Sequence, residues 1–258
     1  VGENADSESQ STTDADSKSD SDEPQTEIIR EGYPNTAIKI ERHVAQDEEG
    51  NYYNHGLYTH FDEKGRVIGT GDYREGKRQG KWQRWFAANE GAMFTGPMFK
   101  EFQGPFASEV TYLNDQIHGV WRVFDGKGRK ASEWEFAGGK AHGQSVWFYP
   151  AGRIRREIVY KEGEIDGEVT EYALDGKVTQ RDKYITGRRL AIQTDWYAPG
   201  QKRAEGWTLF ARDLTKPNYN WWEGVTTITV TGKDGVNQRH GEWTWWHKNG
   251  QKQMEGRY

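Results

Sequence analysis

The sequence contains no cysteine, so disulfide bridges, thiolate zinc sites and cysteine nucleophiles are all excluded. It is also short of aliphatic residues: hydrophobic types make up 33% of the 258 residues, and the mean hydropathy is -1.05. No apolar run approaches the ~18 residues of a membrane-spanning helix, so no transmembrane segment is expected. No segment keeps a helical period over ten residues. A basic face is missing as well. Residues 1–27 hold nine acidic side chains and one lysine, a net of -8 within a whole-chain charge of -5, which leaves +3 for the rest. Neither part has the footprint of nucleic-acid binding. G-x-S-x-G elbows and phosphate-cradling glycine loops are absent too, so no catalytic residue and no cofactor is expected.

What is present is aromatic and glycine-rich. Aromatics reach 14%, with 12 Trp and 13 Tyr, and there are 31 Gly. A disordered chain would lack the aromatics, and a compact α/β enzyme would carry more Leu, Ile and Val. This mixture predicts short strands joined by tight turns. The exception is residues 1–27, a Ser/Asp-rich acidic stretch with no apolar periodicity, which is expected to be a disordered linker. Its aspartates Asp14, Asp16, Asp20 and Asp22 lack the central Gly and terminal Glu of a calcium-binding loop. Spacers of this composition often follow the export signal of secreted bacterial proteins, so an exported, periplasmic or cell-surface location is the expectation; no signal peptide is visible in this numbering.

Residues 28–258 are periodic. With the glycine of a recurring HG, DG or QG pair as origin, units begin at Gly56, Gly80, Gly119, Gly143, Gly167 and Gly241, and Ala191 holds the origin of the sixth unit. Four of the six intervals are 24 residues, and the others, 39 and 50, are one period plus an insertion. Five residues past each origin stands an aromatic: Phe61, Trp85, Phe124, Phe148, Tyr172, Trp196 and Trp246. Nine past it come Gly65, Gly128, Gly152, Gly176, Gly200 and Gly250. Fourteen past it come Glu133, Glu157, Glu205 and Glu255, and seventeen past it Tyr73, Phe136, Tyr160, Tyr184 and Tyr258. A half unit precedes them, since YPNTAIKIE at Tyr33 echoes YPAGRIRRE at Tyr149. Segments such as EWTWW, VWRVF and EVTEY read as strands and KNG, LDG and PAG as hairpin turns. The fold class is therefore all-β: an elongated antiparallel meander of about seven 24-residue hairpin repeats, with insertions at about 88–106 and 206–231.

YREGKRQGKWQRW from Tyr73 and YKEGEIDGEVTEYALDGKVTQR from Tyr160 resemble the MORN repeat variants, including those of the YwqK-type antitoxin family. The resemblance covers most of residues 28–258 and implies an open hairpin array used for protein contacts or assembly. Two departures stand out. Where the MORN unit has a second glycine two residues past the origin, this chain has Trp82, Trp121 or Trp243, and Ala191 replaces one origin glycine.

Polar candidates resolve into repeat features. His55, His118, His142 and His240 each precede an origin and are expected at turns. One hairpin advances a sheet by roughly 9–10 Å, so they cannot share a metal ion, whose ligands lie ~2 Å from it. The recurring glutamates have the same spacing and no asymmetry of environment, and are expected to pair with Lys or Arg. The aromatics at offsets five and seventeen are expected to form the core stripe. Trp82, Trp121 and Trp243 have the opposite parity to offset five, which points them to the other face, for partner contact or to hold the sheet together. The insertions bring Met93, Phe94, Met98, Phe99, Phe102 and Phe106, and Trp207, Phe210, Tyr219, Trp221 and Trp222. They either fold back as covers or face a partner. Of these, Met93, Phe94, Met98, Phe99, Phe102, Trp207, Tyr219, Trp221 and Trp222 are the candidate partner-binding residues.

The function expected is that of a non-catalytic repeat scaffold or assembly subunit. Its partners are other protein subunits, including copies of itself, reached through the insertions or the C-terminal edge strand at Tyr258. Two further readings stand beside it: a glycan- or cell-wall-binding module using exposed aromatics, and an antitoxin or immunity-type inhibitor.

Overall fold

The computed structural model describes residues 23–88 and 90–258. Strands β1 (Glu27–Gly32), β2 (Ile38–Gln46), β3 (Tyr52–Phe61), β4 (Val67–Arg74), β5 (Lys77–Trp85) and β6 (Ala107–Leu113) come first. β7 (Gln116–Ile117) and β8 (Gly119–Phe124) are one strand interrupted at His118. Next come β9 (Lys130–Ala137), β10 (Lys140–Phe148), β11 (Ile154–Lys161), β12 (Glu164–Tyr172), β13 (Val178–Ile185), β14 (Arg188–Ala198) and β15 (Gln201–Leu209). β16 (Arg212–Asn220) and β17 (Val225–Asp234) form a separate hairpin, and β18 (Gln238–Trp246) and β19 (Lys252–Arg257) return to the main sheet. That sheet has 17 strands, all antiparallel to their neighbours, with β15 pairing across the inserted hairpin to β18. At about 4.8 Å per step it is roughly 70 Å long across its strands. The fold class is the all-β hairpin meander that the periodicity predicts.

Most of the expected tail, residues 1–22, lies outside the described residues, and its final residue, Glu27, opens β1. The half unit at Tyr33 is a complete hairpin, β1–β2. Its kinship with later units shows in one bond: the Tyr33 hydroxyl donates to the Phe61 carbonyl at 2.8 Å, as Tyr149 does to Tyr172 at 2.8 Å and Tyr197 to Trp246 at 3.2 Å. The second insertion begins later than its sequence boundary, because Gly206–Leu209 belong to β15.

The origin glycines do not end a turn; they lie within strands. Gly56, Gly80, Gly119, Gly143, Gly167 and Gly241 have φ between 62° and 139°. At each, the strand carries two more residues than the strand before it, as between Tyr160↔Ile165 and Ile158↔Val169. These are bulges of two extra residues, and the left-handed backbone conformation they need favours glycine. The histidines before them are accordingly strand or bulge residues, not the turn residues expected: His55 is in β3, His142 in β10 and His240 in β18. Because two residues are added, side-chain parity survives the bulge.

Ala191 is the informative exception. β14 pairs with β15 without a shift from Leu190 to Asp195, and β13 pairs with β14 only through Lys183↔Leu190, Tyr184↔Arg189 and Ile185↔Arg188. With alanine at the origin no bulge forms, and the ladder does not resume beyond it.

The core stripe also differs from expectation. Offset seventeen is inward, but offset two, not five, is its companion: Trp82, Trp121 and Trp243 are 2%, 1% and 2% exposed, whereas Trp85 and Trp196 at offset five are 38% and 49% exposed. Offset five sits at the hairpin ends. Two of these three tryptophans, Trp82 and Trp243, lie on glycine. A Cβ on Gly71 would meet the Trp82 ring at 2.1 Å, and one on Gly206 the Trp243 ring at 2.4 Å. The indole N–H of Trp82 donates to the Asp72 carbonyl at 3.1 Å and that of Trp243 to the Trp207 carbonyl at 2.7 Å, next to those glycines. Gly71→Ala should therefore displace the Trp82 ring and cost about 1–3 kcal/mol, as overpacking does, lowering Tm by roughly 3–10 °C in a circular-dichroism melt. An unchanged Tm would contradict this packing.

Candidate interaction site

The inner face carries one aromatic stretch from β3 to β12, a polar stretch after it, and a second aromatic group at Trp243 and Trp245 of β18. Over β3–β6 it presents Tyr58, Tyr73, Trp82 and Tyr112, and over β8–β12 Trp121, Trp134, Phe136, Trp147, Ile158 and Tyr160. Past them the inward positions are Glu171, Gln180, Asp182, Gln193 and Asp195. The first of these aromatic stretches is the part that the two insertions cover.

The first insertion folds through a 3-10 turn, Ala92–Thr95, and packs Met93, Phe94, Phe99, Phe102 and Phe106 into the core. Phe94 stacks on Phe106 with ring centroids 4.2 Å apart. The second insertion crosses the sheet as the β16–β17 hairpin. Its root is tied to β12, where Arg212 pairs with Glu164, and its tip reaches β3–β6. The ten residue-to-residue steps from Arg212 to Trp222 span about 33 Å when extended, close to the roughly 34 Å across seven strand spacings, so the hairpin runs across the strands beneath it. At its tip Trp221 is buried against Trp82 and Tyr112, with ring centroids at 6.2 and 6.0 Å. Trp222 lies flat on His60, 5.7 Å away and 5° from parallel, over the bare backbone of Gly69. Tyr219 packs edge-on against Phe136.

Arg84 joins the two insertions. Its guanidinium is buried, pairs with Glu90 at the root of the first, donates to the Ile68 carbonyl at 2.9 Å and lies 5.0 Å from the Trp222 ring of the second. A charge so placed depends on those contacts for compensation.

The candidate partner-binding residues therefore divide. Met93, Phe94, Phe99, Phe102 and Trp221 are buried inside the chain, and Met98, Tyr219 and Trp222 are partly buried against the same core, so these eight form no open patch. Trp207 alone among them is exposed, at 43%. It stands opposite Ile192 in the β14–β15 register, beside the broken β13–β14 ladder. Ile192 is 58% exposed and was not singled out by sequence; its signal was its place next to Ala191, where the repeat loses its glycine.

The recurring glutamates are engaged singly. Glu133 bonds Arg122 at 2.6 Å across the strands and Lys130 at 3.1 Å, Glu205 bonds Lys202 at 2.7 Å, and Glu157 accepts from Tyr172 at 2.8 Å. These partners hold the Glu133 and Glu205 carboxyls below the usual range, against the opposing effect of burial, which for Glu133 is the largest single influence. Among the described residues, no three His, Asp or Glu side chains converge as metal ligands would.

The contact of Trp222 with His60 gives the arm a pH dependence. Burial, and next the nearby Arg84 charge, depress the His60 pKa, and neither ring nitrogen has a hydrogen-bond partner. A depressed histidine favours folding above its unfolded pKa of about 6.5 and loses that contribution as pH falls through the lower folded value. Tm should therefore drop between pH 7.5 and 5, and His60→Phe, which keeps the stacked ring, should drop less. Equal drops in both proteins would rule His60 out as the source.

The family description "MORN repeat variant" matches residues 141–162 and 239–258, which are β10–β11 and β18–β19 from origin glycine to offset-seventeen tyrosine. The match names the repeat and no YwqK-type subfamily. No curated protein matches the chain. In both places an origin glycine bulges a strand and the following strand closes the unit, and at these positions the chain matches the MORN repeat variant.

Proposed function

We propose that the chain is a non-catalytic repeat scaffold that binds other protein subunits through the outer surface of β14–β15. One observation carries this reading: the insertions cover the inner aromatic face, while Ile192, Trp196 and Trp207 remain 58%, 49% and 43% exposed on the opposite side. Ile192 and Trp207 are direct register partners, and Glu205, opposite Thr194, adds a polar rim. A rigid tryptophan beside an aliphatic residue, with a charged group at its edge, is the composition of a protein-contact hot spot. MORN repeats commonly act as protein- or membrane-contact modules, which agrees with a scaffold role. An exported or cell-surface setting belongs to the same proposal and rests on the composition of residues 1–27.

Native mass spectrometry on protein from its source should give a particle heavier than 29.8 kDa. A photo-crosslinking residue at position 207 should capture a defined protein there. Ile192→Ser with Trp207→Ser should return the particle to the monomer mass with an unchanged Tm. A monomer with no adduct at 207 would overturn the proposal. Saturable glycan binding abolished by the same two substitutions would replace it with a carbohydrate-binding role.

A further inference from the structure

β13 and β14 are neighbours in the sheet, but they are bonded along only part of their length. Their ladder runs through Ile185↔Arg188, Tyr184↔Arg189 and Lys183↔Leu190, then stops. One unit earlier the pairing resumes beyond the bulge, from Tyr160↔Ile165 to Ile158↔Val169. The equivalent pair 24 residues on, Asp182↔Gln193, does not form. β13 nevertheless stays paired with β12 from Val178 to Tyr184, and β14 with β15 from Leu190 to Ala198. The two strands therefore part like the arms of a fork. Each turns a bare backbone edge toward the other, over Val178–Asp182 and Ala191–Asp195. No turn or loop backbone of the described residues supplies the missing partners. Unpaired N–H and C=O groups in a row are a template for another strand.

Burial tells the same story. Val178, Thr179, Gln180 and Arg181 are all exposed, although their side chains alternate between the two faces. Lys252–Glu255 of β19, the outermost described strand, show the same run. A strand enclosed on both sides alternates instead, as in β9, where Trp134 and Phe136 are buried and Glu135 between them is exposed. β13 thus has the character of an edge strand in the middle of a sheet.

The fork has two unlike faces. Gln180, Asp182, Gln193 and Asp195 stand on the inner one, and Ile192, with Trp207 beside it, on the outer one. The inner carboxylates keep capacity for further donors. Asp182 accepts from Gln180 at 2.6 Å with Arg189 3.8 Å away, and Asp195 accepts from Gln193 at 3.2 Å with Arg203 at 3.4 Å.

We infer that the fork between β13 and β14 takes an extended segment of a partner protein as an added strand. Its backbone lies on the bare edges, and its side chains alternate, basic ones toward Asp182 and Asp195 and apolar ones toward Ile192 and Trp207. Main-chain bonds supply affinity in such an addition, and alternate side chains supply specificity. Ala191 holds the fork open, because alanine resists the left-handed conformation that the bulge requires. The inference rests on the scaffold reading and gives the partner its form.

Hydrogen exchange with mass spectrometry on the isolated full chain separates the two. Amides of Val178–Asp182 and Ala191–Asp195 that face the fork should exchange as fast as those on the outer edge of β19. Slow exchange would mean that the fork is closed or filled by the chain itself, and slowing only as the protein is concentrated would make a second copy the occupant. Either result overturns the inference and leaves the scaffold reading standing. The probe for binding is a fluorescent eight-residue peptide of alternating lysine and valine, followed by anisotropy. It should bind saturably and slow exchange along both edges. The same peptide with N-methylated valines lacks the donors, and one of four lysines followed by four valines lacks the alternation; each should bind about tenfold more weakly or worse. Ala191→Gly restores the bulge glycine and should slow the fork amides and weaken the probe about tenfold, whereas Ala191→Ser should change neither. Should glycine leave the fork open, Asp182→Lys with Asp195→Lys should weaken the probe by the same factor. The inference is overturned if the alternating peptide does not bind, if either control peptide binds as well, or if neither set of substitutions weakens it.

Discussion

A left-handed backbone at one glycine per unit lets every second strand carry two extra residues and still deliver its side chains to the correct face. The tryptophan two residues later follows from it. The bulge sets the indole over the neighbouring strand, where Gly71 or Gly206 leaves room for the ring, and a carbonyl on that strand accepts its N–H. A second glycine at the tryptophan position, as in the MORN pattern, would leave that volume empty. The substitution of ring for hydrogen gives a thin sheet a core of its own at Trp82, Trp121 and Trp243.

A single-layered sheet still needs its aromatic face shielded, and the chain supplies the shield from two interruptions of the repeat. Phenylalanines and methionines of the first lie over one stretch, and Tyr219, Trp221 and Trp222 of the second over another. Arg84 sits where the two meet. The inner face becomes polar at Glu171, Gln180 and Asp182, past the hairpin's reach, and turns aromatic again only at Trp243 and Trp245 of β18. Where cover and sheet do not mate, a largely apolar cavity remains.

Much of this was legible in the sequence. The 24-residue spacing, the turn glycines and the two insertions gave the hairpin meander directly. The faces were harder. Offset five was assigned to the core because aromatics recur there, yet recurrence does not distinguish a hairpin end from a packed interior. The parity argument separated Trp82, Trp121 and Trp243 from offset five correctly, but offset seventeen was grouped with five, whereas the strand register puts Phe136 on the face of Trp121. Which face is covered depends on Trp221 and Trp222 crossing seven strands, a contact between residues far apart that no local pattern encodes. The same distance hides the cavity, whose walls come from five separate segments. Ala191 was visible as a departure, but its effect on the β13–β14 ladder required the bulges to be seen.

That short ladder has a consequence for cooperativity. In a stack where each unit touches only its neighbours, stability spreads as along a one-dimensional chain, and a weak junction divides it into separately melting blocks. β13–β14 is such a junction, with three residue pairs. The β16–β17 hairpin bypasses it. It leaves the sheet on the far side of the junction and buries Trp221 against Trp82 and Tyr112 on the near side, a strap thrown across the break. Melting of the C-terminal hairpins must first draw that tryptophan out of the N-terminal core, so the two blocks share one unfolding barrier.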